Sequence, residues 1–290
     1  MTPRASVVIP HHDDPDRLMR CLDALMDGLP EGVEVVVVDN ASRADPGPRI
    51  AARHPSVRLL REARRGAAHA RNTGVAGTAG ALLLFIDSDC VPARDWVATA
   101  LRLARPDTVL GGAVEIFDET PAPRSGAEAF EAGFAFDFRR YIEREGFTGA
   151  GNMVTTRAVF EATGPFRDTL SEDKDWSRRA VAAGFALTYA PEIRVAHPSR
   201  SDWGALRRKW RRLTEESFAL HRAEGHGRGA WALRAALMPV SVLAHAPRVL
   251  TSPRIAGGER GGALVTLARQ RMARMGWMLR QAATGRGPLG

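Results

Sequence analysis

The chain has 290 residues, 44% of them hydrophobic, which fits a folded protein with a full buried core, as one large domain with an appendage or as two smaller ones. Its two cysteines, Cys21 and Cys90, have no metal-ligand or redox spacing, so a disulfide framework is not expected and a reducing compartment is. The formal net charge of +8 is lopsided: residues 1–200 carry 25 Lys and Arg against 28 Asp and Glu, whereas residues 201–290 carry 16 against 5. The last third is therefore expected to meet something anionic.

The N-terminus, MTPRASVVIPHHDD, enters a strand almost at once and lacks the apolar core and cleavage site of a signal peptide. ASVVIP and VEVVVVDN are runs of β-branched residues ending in polar ones. Between them, DPDRLMRCLDALMDGL sets Leu18, Cys21, Leu22 and Leu25 at helical spacing behind an Asp-Pro start, which completes a β-α-β unit. The helix-like DPGPRIAARH then precedes a short strand, VRLLRE, and the small-residue helix GAAHARNTGVAGTAG leads into the strand ALLLFI. A further strand follows RLARPDTVLGG. This alternation predicts the α/β class, with a mainly parallel, Rossmann-like sheet and flanking helices.

After residue 111 the pattern changes. GGAVEIF reads as a strand and PAPRSG as a loop, and AEAFEAGFAFDFRRYIERE aligns Phe130, Phe134, Phe138 and Tyr141 on one helical stripe, expected to be core. GFTGAGNMVTTRAVFEATGPF is glycine-rich and then helical. LSEDKDWSRRAVAAGF starts with acids and becomes a helix, and ALTYAPEIRVAHPSR resumes strand and ends at His197. Two domains are expected: residues 1–200, in two halves that meet at about 110–111, and a basic helical extension over 201–290.

In that extension, WGALRRKWRRLTEESFAL carries Trp203, Leu206, Trp210, Leu213 and Leu220 along one face, surrounded by Arg207, Arg208, Lys209, Arg211 and Arg212. ALVTLARQRMARMGWMLRQ is a second basic stripe, on which Arg271 intrudes and from which Trp277 departs. The longest uncharged apolar run here, 235–247, has 13 residues and two prolines, short of the ~20 that a transmembrane helix requires. A cytoplasmic protein is expected, with peripheral attachment to the inner face of the cytoplasmic membrane left open.

Chemistry concentrates at the strand ends, outside which ligands bind in such sheets. Asp87-Ser88-Asp89 follows LLLFI directly, and two carboxylates one residue apart can share a hard cation, Mn²⁺ or Mg²⁺, that completes its shell with water and phosphate. Asp39, ending VVVVD, either accepts hydrogen bonds from a base or ribose or caps a turn. SEDKDW supplies Glu172, Asp173 and Asp175, more acids than a helix cap needs, and one of them is a candidate general base.

In their order along the chain, SVVIPHHDDPDRLMRCLDAL, EVVVVDNAS, GAAHARNTGVAGTAGALLLFIDSDCVPARDW, GAGNMVTTRAVFEATGPF, SEDKDWSRRAVAAG and APEIRVAHP resemble a family 2 glycosyltransferase of GT-A fold over roughly residues 5–200. The resemblance implies transfer of a sugar, with inversion, from a nucleotide diphosphate-sugar, a UDP-sugar before others. It implies that Pro10, Asp39 and Arg71 line the nucleotide pocket with Ser88. Asp87 would touch ribose or metal, and Asp89 would ligate the metal. Asp173, beside Glu172, would deprotonate the acceptor hydroxyl. His197 either reaches the metal or diphosphate or is a packed histidine.

Two departures stand out. The family's Pro-Thr-Tyr-Asn is here Pro10-His11-His12-Asp13, where His12 would stack on the base, and LRRKW lacks the glutamine of processive synthases. The basic extension suggests either a solvated face or helices lying on an anionic membrane. The second reading makes the acceptor a lipid-linked saccharide or glycolipid, in cell-envelope or exopolysaccharide synthesis. No nucleic-acid module is visible, so no nucleic acid is expected as a partner. A nucleotidyltransferase on a related fold and an inactive sugar-nucleotide-binding protein are the rival readings. The first would carry a lysine-bearing glycine loop after the first strand, and the second would not need Asp89 and Asp173 together.

Overall fold

The structure, a computed structural model, describes residues 2–168 and 171–287. It divides into two compact units, Met1–Glu115 with Phe136–His197, and Ile116–Ala135 with Pro198–Gly290. A simple division at residue 200 therefore leaves out one feature: the segment 116–135 groups with the C-terminal helices.

The first unit is built on a sheet of order β3-β2-β1-β4-β7-β6-β8-β5. Its elements run β1 (Ala5–His11), α1 (Pro15–Asp27), β2 (Val33–Asp39), α2 (Gly47–Arg53), β3 (Arg58–Arg61), α3 (Ala67–Ala76), β4 (Leu82–Ile86), β5 (Val91–Pro92), α4 (Trp96–Leu103) and β6 (Thr108–Phe117). After α5 (Gly126–Phe134), which belongs to the second unit, come α6 (Phe138–Glu145), β7 (Asn152–Thr156), α7 (Arg157–Thr163), α8 (Glu172–Ala182) and β8 (Ala186–Pro198). The pairs β1–β2, β1–β4 and β2–β3 are parallel, whereas β4–β7, β6–β7 and β5–β8 are antiparallel.

The β-branched runs are continuous because both faces of the sheet are covered. Val7, Ile9, Val35, Val37, Leu82, Leu84 and Ile86 pack into one core cluster with α1, and Val8, Val36, Val38, Leu83 and Phe85 into another with α3. The small residues of α3 let it lie tight on the sheet: a Cβ on Gly74 would come within 2.3 Å of a Val8 methyl.

The two stretches expected as separate strands around Gly111 form one strand, β6. The aromatic stripe expected on a single helix is divided. The chain breaks after Phe134, Phe136 adopts φ +48°, and Asp137 starts α6 by accepting the Arg140 N–H at 3.2 Å. Helical spacing cannot reveal such a break, because the residues on either side keep the same period. Phe130 and Phe134 stay with the second unit; Phe138 and Tyr141 pack in the first.

The second unit contains α5, α9 (Trp203–Ala223), α10 (Arg228–Ala236), α11 (Met238–Thr251) and α12 (Arg260–Thr284). Its core holds Phe130, Leu206, Val249, Ile255, Ala263 and Leu267. Lys209 is not on a solvated basic face: it points inward and pairs with the buried Glu131 at 2.6 Å, and Arg200 lies 3.4 Å from the same carboxylate. Burial pushes Glu131 up, yet Lys209 and Arg200 hold it below the usual carboxylate range; burial also pulls Lys209 down to about 8. Among the described residues, no helix is long and apolar enough to cross a membrane.

Candidate active site

The site is assembled at one end of the sheet. Parallel β1, β2 and β4 bring His11, Asp39 and the Asp87–Cys90 turn to the same edge, and antiparallel β7 starts there because Asn152 pairs with Ile86. The Cys90 N–H donates to the Asp87 carbonyl at 3.0 Å, closing the turn that displays Asp87 and Asp89, with Ser88 half-buried between them. In the β5–β8 register Val91 faces Ala196, so His197 falls beside that turn. Its Nε2 lies 3.2 Å from Asp89 Oδ2, and the Phe136 ring covers the imidazole at 4.7 Å between centroids.

Arg71, on α3 and only 4% exposed, binds two carboxylates at once. Its Nη2 donates to Asp87 Oδ1 at 2.7 Å and its Nη1 to Glu172 Oε1 at 2.8 Å. Burial opposes the charge on Arg71, but Asp87 and Glu172 outweigh it and hold the guanidinium protonated. The three acids of α8 thereby separate: Glu172 is tied to Arg71, and Asp175 to Arg179 at 2.8 Å. Asp173 accepts only the Lys174 N–H, at 2.7 Å, among the hydrogen bonds of the described residues. Burial, followed by the Glu172 charge, raises the Asp173 carboxyl to about 6, despite the nearby Arg71. That value suits a base that must ionise near neutrality.

In sequence the loop before β7 is simply glycine-rich, and its part in the site is visible in three dimensions. A Cβ on Gly151 would stand 2.6 Å from Asp87 Oδ2, and one on Gly149 would stand 3.5 Å from Asp173 Oδ2. Two glycines thus leave the space in front of both carboxylates. Gly151→Ala should displace the Asp87 carboxylate, costing about 1–3 kcal/mol as overpacking, read as a lower urea midpoint at unchanged slope.

At the end of β2, Asp39 is buried, with Oδ2 3.3 Å from Arg61 Nη1. Its Oδ1 has no hydrogen-bond partner among the described residues, nor does Nδ1 of His11, its register partner. Burial lowers the His11 pKa and favours the neutral ring. His11 was missed in the sequence, where its strand-end position resembled the start of a loop. His12 has both ring nitrogens engaged, Nδ1 2.8 Å from the Asn40 carbonyl and Nε2 2.8 Å from Arg65 Nη2. Pro10 is half-buried within β1, opposite Val38. Cys21 and Cys90 lie beneath the turn as buried, free thiols that burial pushes up, which favours packing over reactivity.

A divalent cation is compatible with these residues. Asp89, in the turn after β4, and His197, on β8, offer one oxygen and one nitrogen ligand, and no cluster of three His, Cys, Asp or Glu side chains poised for metal exists among the described residues. A two-ligand set suits an ion that also binds substrate phosphates.

Known proteins resemble this chain in sequence and in fold. Over 221 residues the chain is 30% identical to glycosyltransferase AglE of Haloferax volcanii, covering 72% of this chain and 71% of that protein. It is 28% identical over 211 residues to the pre-mycofactocin glycosyltransferase of Mycobacterium tuberculosis, covering 68% of this chain and 44% of the relative. The fold matches the mannosyltransferase PcManGT of Pyrobaculum calidifontis, solved with GDP-Man and Mn²⁺, at a TM-score of 0.56 and 20% identity over 99% of this chain and 77% of that one. It also matches GalNAc-T7, solved with UDP, GalNAc and Mn²⁺, at 0.54 and 19% identity over 69% of this chain and 45% of that one. The family model for glycosyl transferase family 2 matches residues 6–163, and the chain belongs to that family.

Proposed function

We propose that this glycosyltransferase moves a sugar, with inversion, from a nucleotide diphosphate-sugar to an acceptor hydroxyl, and that Asp173 is the base. The observation that carries the reading is the division of labour among the carboxylates: Asp87 and Glu172 share the Arg71 guanidinium, while among the described residues Asp173 has no ion pair with a cation and its pKa is raised to about 6. The acceptor oxygen bonds to the anomeric carbon as the carbon–oxygen bond to the diphosphate breaks, and the acceptor proton passes to a carboxylate oxygen of Asp173. Arg71 and Glu172 are positioning residues that keep Asp87 and Asp173 in register. Asp39 Oδ1 and His11 Nδ1, the orphaned buried pair, face the base, and Ser88, Pro10 and the face of His12 border the nucleotide.

Asp89 and His197, with Asp87 beside them, would hold Mn²⁺ or Mg²⁺. When bound, the ion supplies positive charge where negative charge develops on the departing diphosphate. The neighbours solved with Mn²⁺ and nucleotide or nucleotide-sugar support this assignment. The acceptor is a lipid-linked saccharide or glycolipid, and the basic extension meets an anionic membrane surface.

Isothermal titration with UDP and GDP, each with and without Mn²⁺, tests the donor site. Metal-dependent binding to one of them is expected, weakened about 100-fold or more in Asp89→Ala. Equal affinity in the variant would overturn the assignment of Asp89. UDP is the first nucleotide to try.

A further inference from the structure

Arg271 interrupts the apolar stripe of α12, and the structure buries it instead of turning it outward: it is 8% exposed. Gln270 beside it is 1% exposed, and neither atom of its side-chain amide has a hydrogen-bond partner among the described residues. One turn further, Arg274 stacks on Trp210 of α9, its guanidinium carbon 5.1 Å from the ring centroid. Nε of Arg271, Nε of Arg274 and the indole Nε1 of Trp210 are all buried and unpartnered. Residues 270, 271 and 274 lie within about 100° on one helix face, so four unpaired N–H groups gather there, outnumbering the one unpaired acceptor, Gln270 Oε1.

Elsewhere in the second unit His221 Nδ1 and Arg260 Nε are also buried without a partner, but singly, whereas other buried polar groups are paired. Lys209 and Arg200 share Glu131, and Gln281, further along α12, accepts from Trp231 Nε1 at 3.1 Å and donates to the Gly287 carbonyl at 3.0 Å. Among the described residues no carboxylate acts on Arg271 or Arg274. Burial alone lowers Arg271, and burial, with Arg271 and Arg234 as like charges, pulls Arg274 down to about 10. The Trp210 face offsets part of the charge on Arg274 but accepts none of the Nε hydrogens. Buried cations without a counter-charge are costly, and the cost is removed by an anion with several acceptor oxygens.

We propose that Gln270, Arg271, Arg274 and the Trp210 indole form a phosphate-binding site in the helical unit, separate in its residues from the donor site. A guanidinium pair and two neutral donors match the oxygens of a phosphate mono- or diester or of a diphosphate. The group comes either from a lipid headgroup or from a free phosphate. Its assignment to a lipid-linked acceptor rests on the proposed function; binding of the anion does not.

The test uses full-length protein in EDTA, so that the donor site carries no cation. Inorganic pyrophosphate is titrated while the melting temperature is followed, and sedimentation is measured with vesicles of phosphatidylglycerol and phosphatidylcholine against phosphatidylcholine alone. At a hundredfold excess over Kd, a rise of about 5 °C is expected for the wild type and for Asp89→Ala. The rise should be lost in Arg271→Met and Arg274→Met and reduced in Arg274→Lys, which keeps a charge without the planar fork. A shift with pyrophosphate identifies a site open to free phosphate, and binding only to phosphatidylglycerol vesicles, lost in the same variants, identifies a lipid phosphate. Absence of both, a response unchanged in the arginine variants, or one lost in Asp89→Ala would overturn the proposal. Metal-dependent UDP or GDP titration of the same variants checks that they fold and reports separately on the transferase reading.

Discussion

Replacing Asp173 with Asn should lower kcat by about 10²–10⁴ while nucleotide binding persists, because the amide keeps the shape and loses only the proton acceptor. In the wild type, log(kcat/KM) should fall with a slope of one below a pH of about 6, the value to which burial and Glu172 raise this carboxyl. That limb should vanish from the residual activity of the variant. The stability effect has the opposite direction from that of an ordinary ion-paired aspartate. The folded pKa lies above the unfolded value of 3.8, so the folded state binds more protons between about 4 and 6 and loses stability as pH rises through that range. Above pH 6 the charged, partly exposed carboxylate costs about 1–2 kcal/mol, which Asp173→Asn should recover. Chemical denaturation at pH 5 and 7.5 measures this, and a variant less stable than wild type at pH 7.5 would count against a strained base.

Arg71→Ala should be the most damaging single change in the first unit. Removing a buried guanidinium that holds two carboxylates leaves Asp87 and Glu172 uncompensated beside Asp173, with an expected loss of about 3–5 kcal/mol, or roughly 10 °C in melting temperature. Arg71 also draws the Asp173 pKa down, so its removal should move the acid limb of the rate above 6. Arg71→Lys keeps one charge but cannot span both carboxylates with a planar fork, and should fall between wild type and Ala in stability. An acid limb that stays at about 6 in a folded Arg71→Ala would mean that the Arg71 network does not tune the base.

The amino-acid sequence by itself determined the α/β class, because the β-branched runs and the 3.6-residue spacing of Leu18, Leu22 and Leu25 are local signals that burial on two sheet faces reinforces. It also marked the ends of β2 and β4 as chemical positions, since Asp39 and Asp87 follow directly on runs too apolar to expect charge. Other features depend on register between distant segments and only the tertiary structure decided them. Glu172 lies 101 residues from Arg71, and nothing local distinguishes it from Asp173 or Asp175; the reach of one guanidinium does. His197 meets Asp89 because β5 pairs antiparallel with β8, and Gly151 gains meaning only when β7 lines up against β4. The break at Phe136 leaves the helical period intact on both sides, so periodicity could not divide the aromatic stripe. Arg271 looked like an intruder in an apolar face for the same reason: periodicity reports which side of a helix is covered, whereas the missing counter-charge opposite that side is a property of three-dimensional packing.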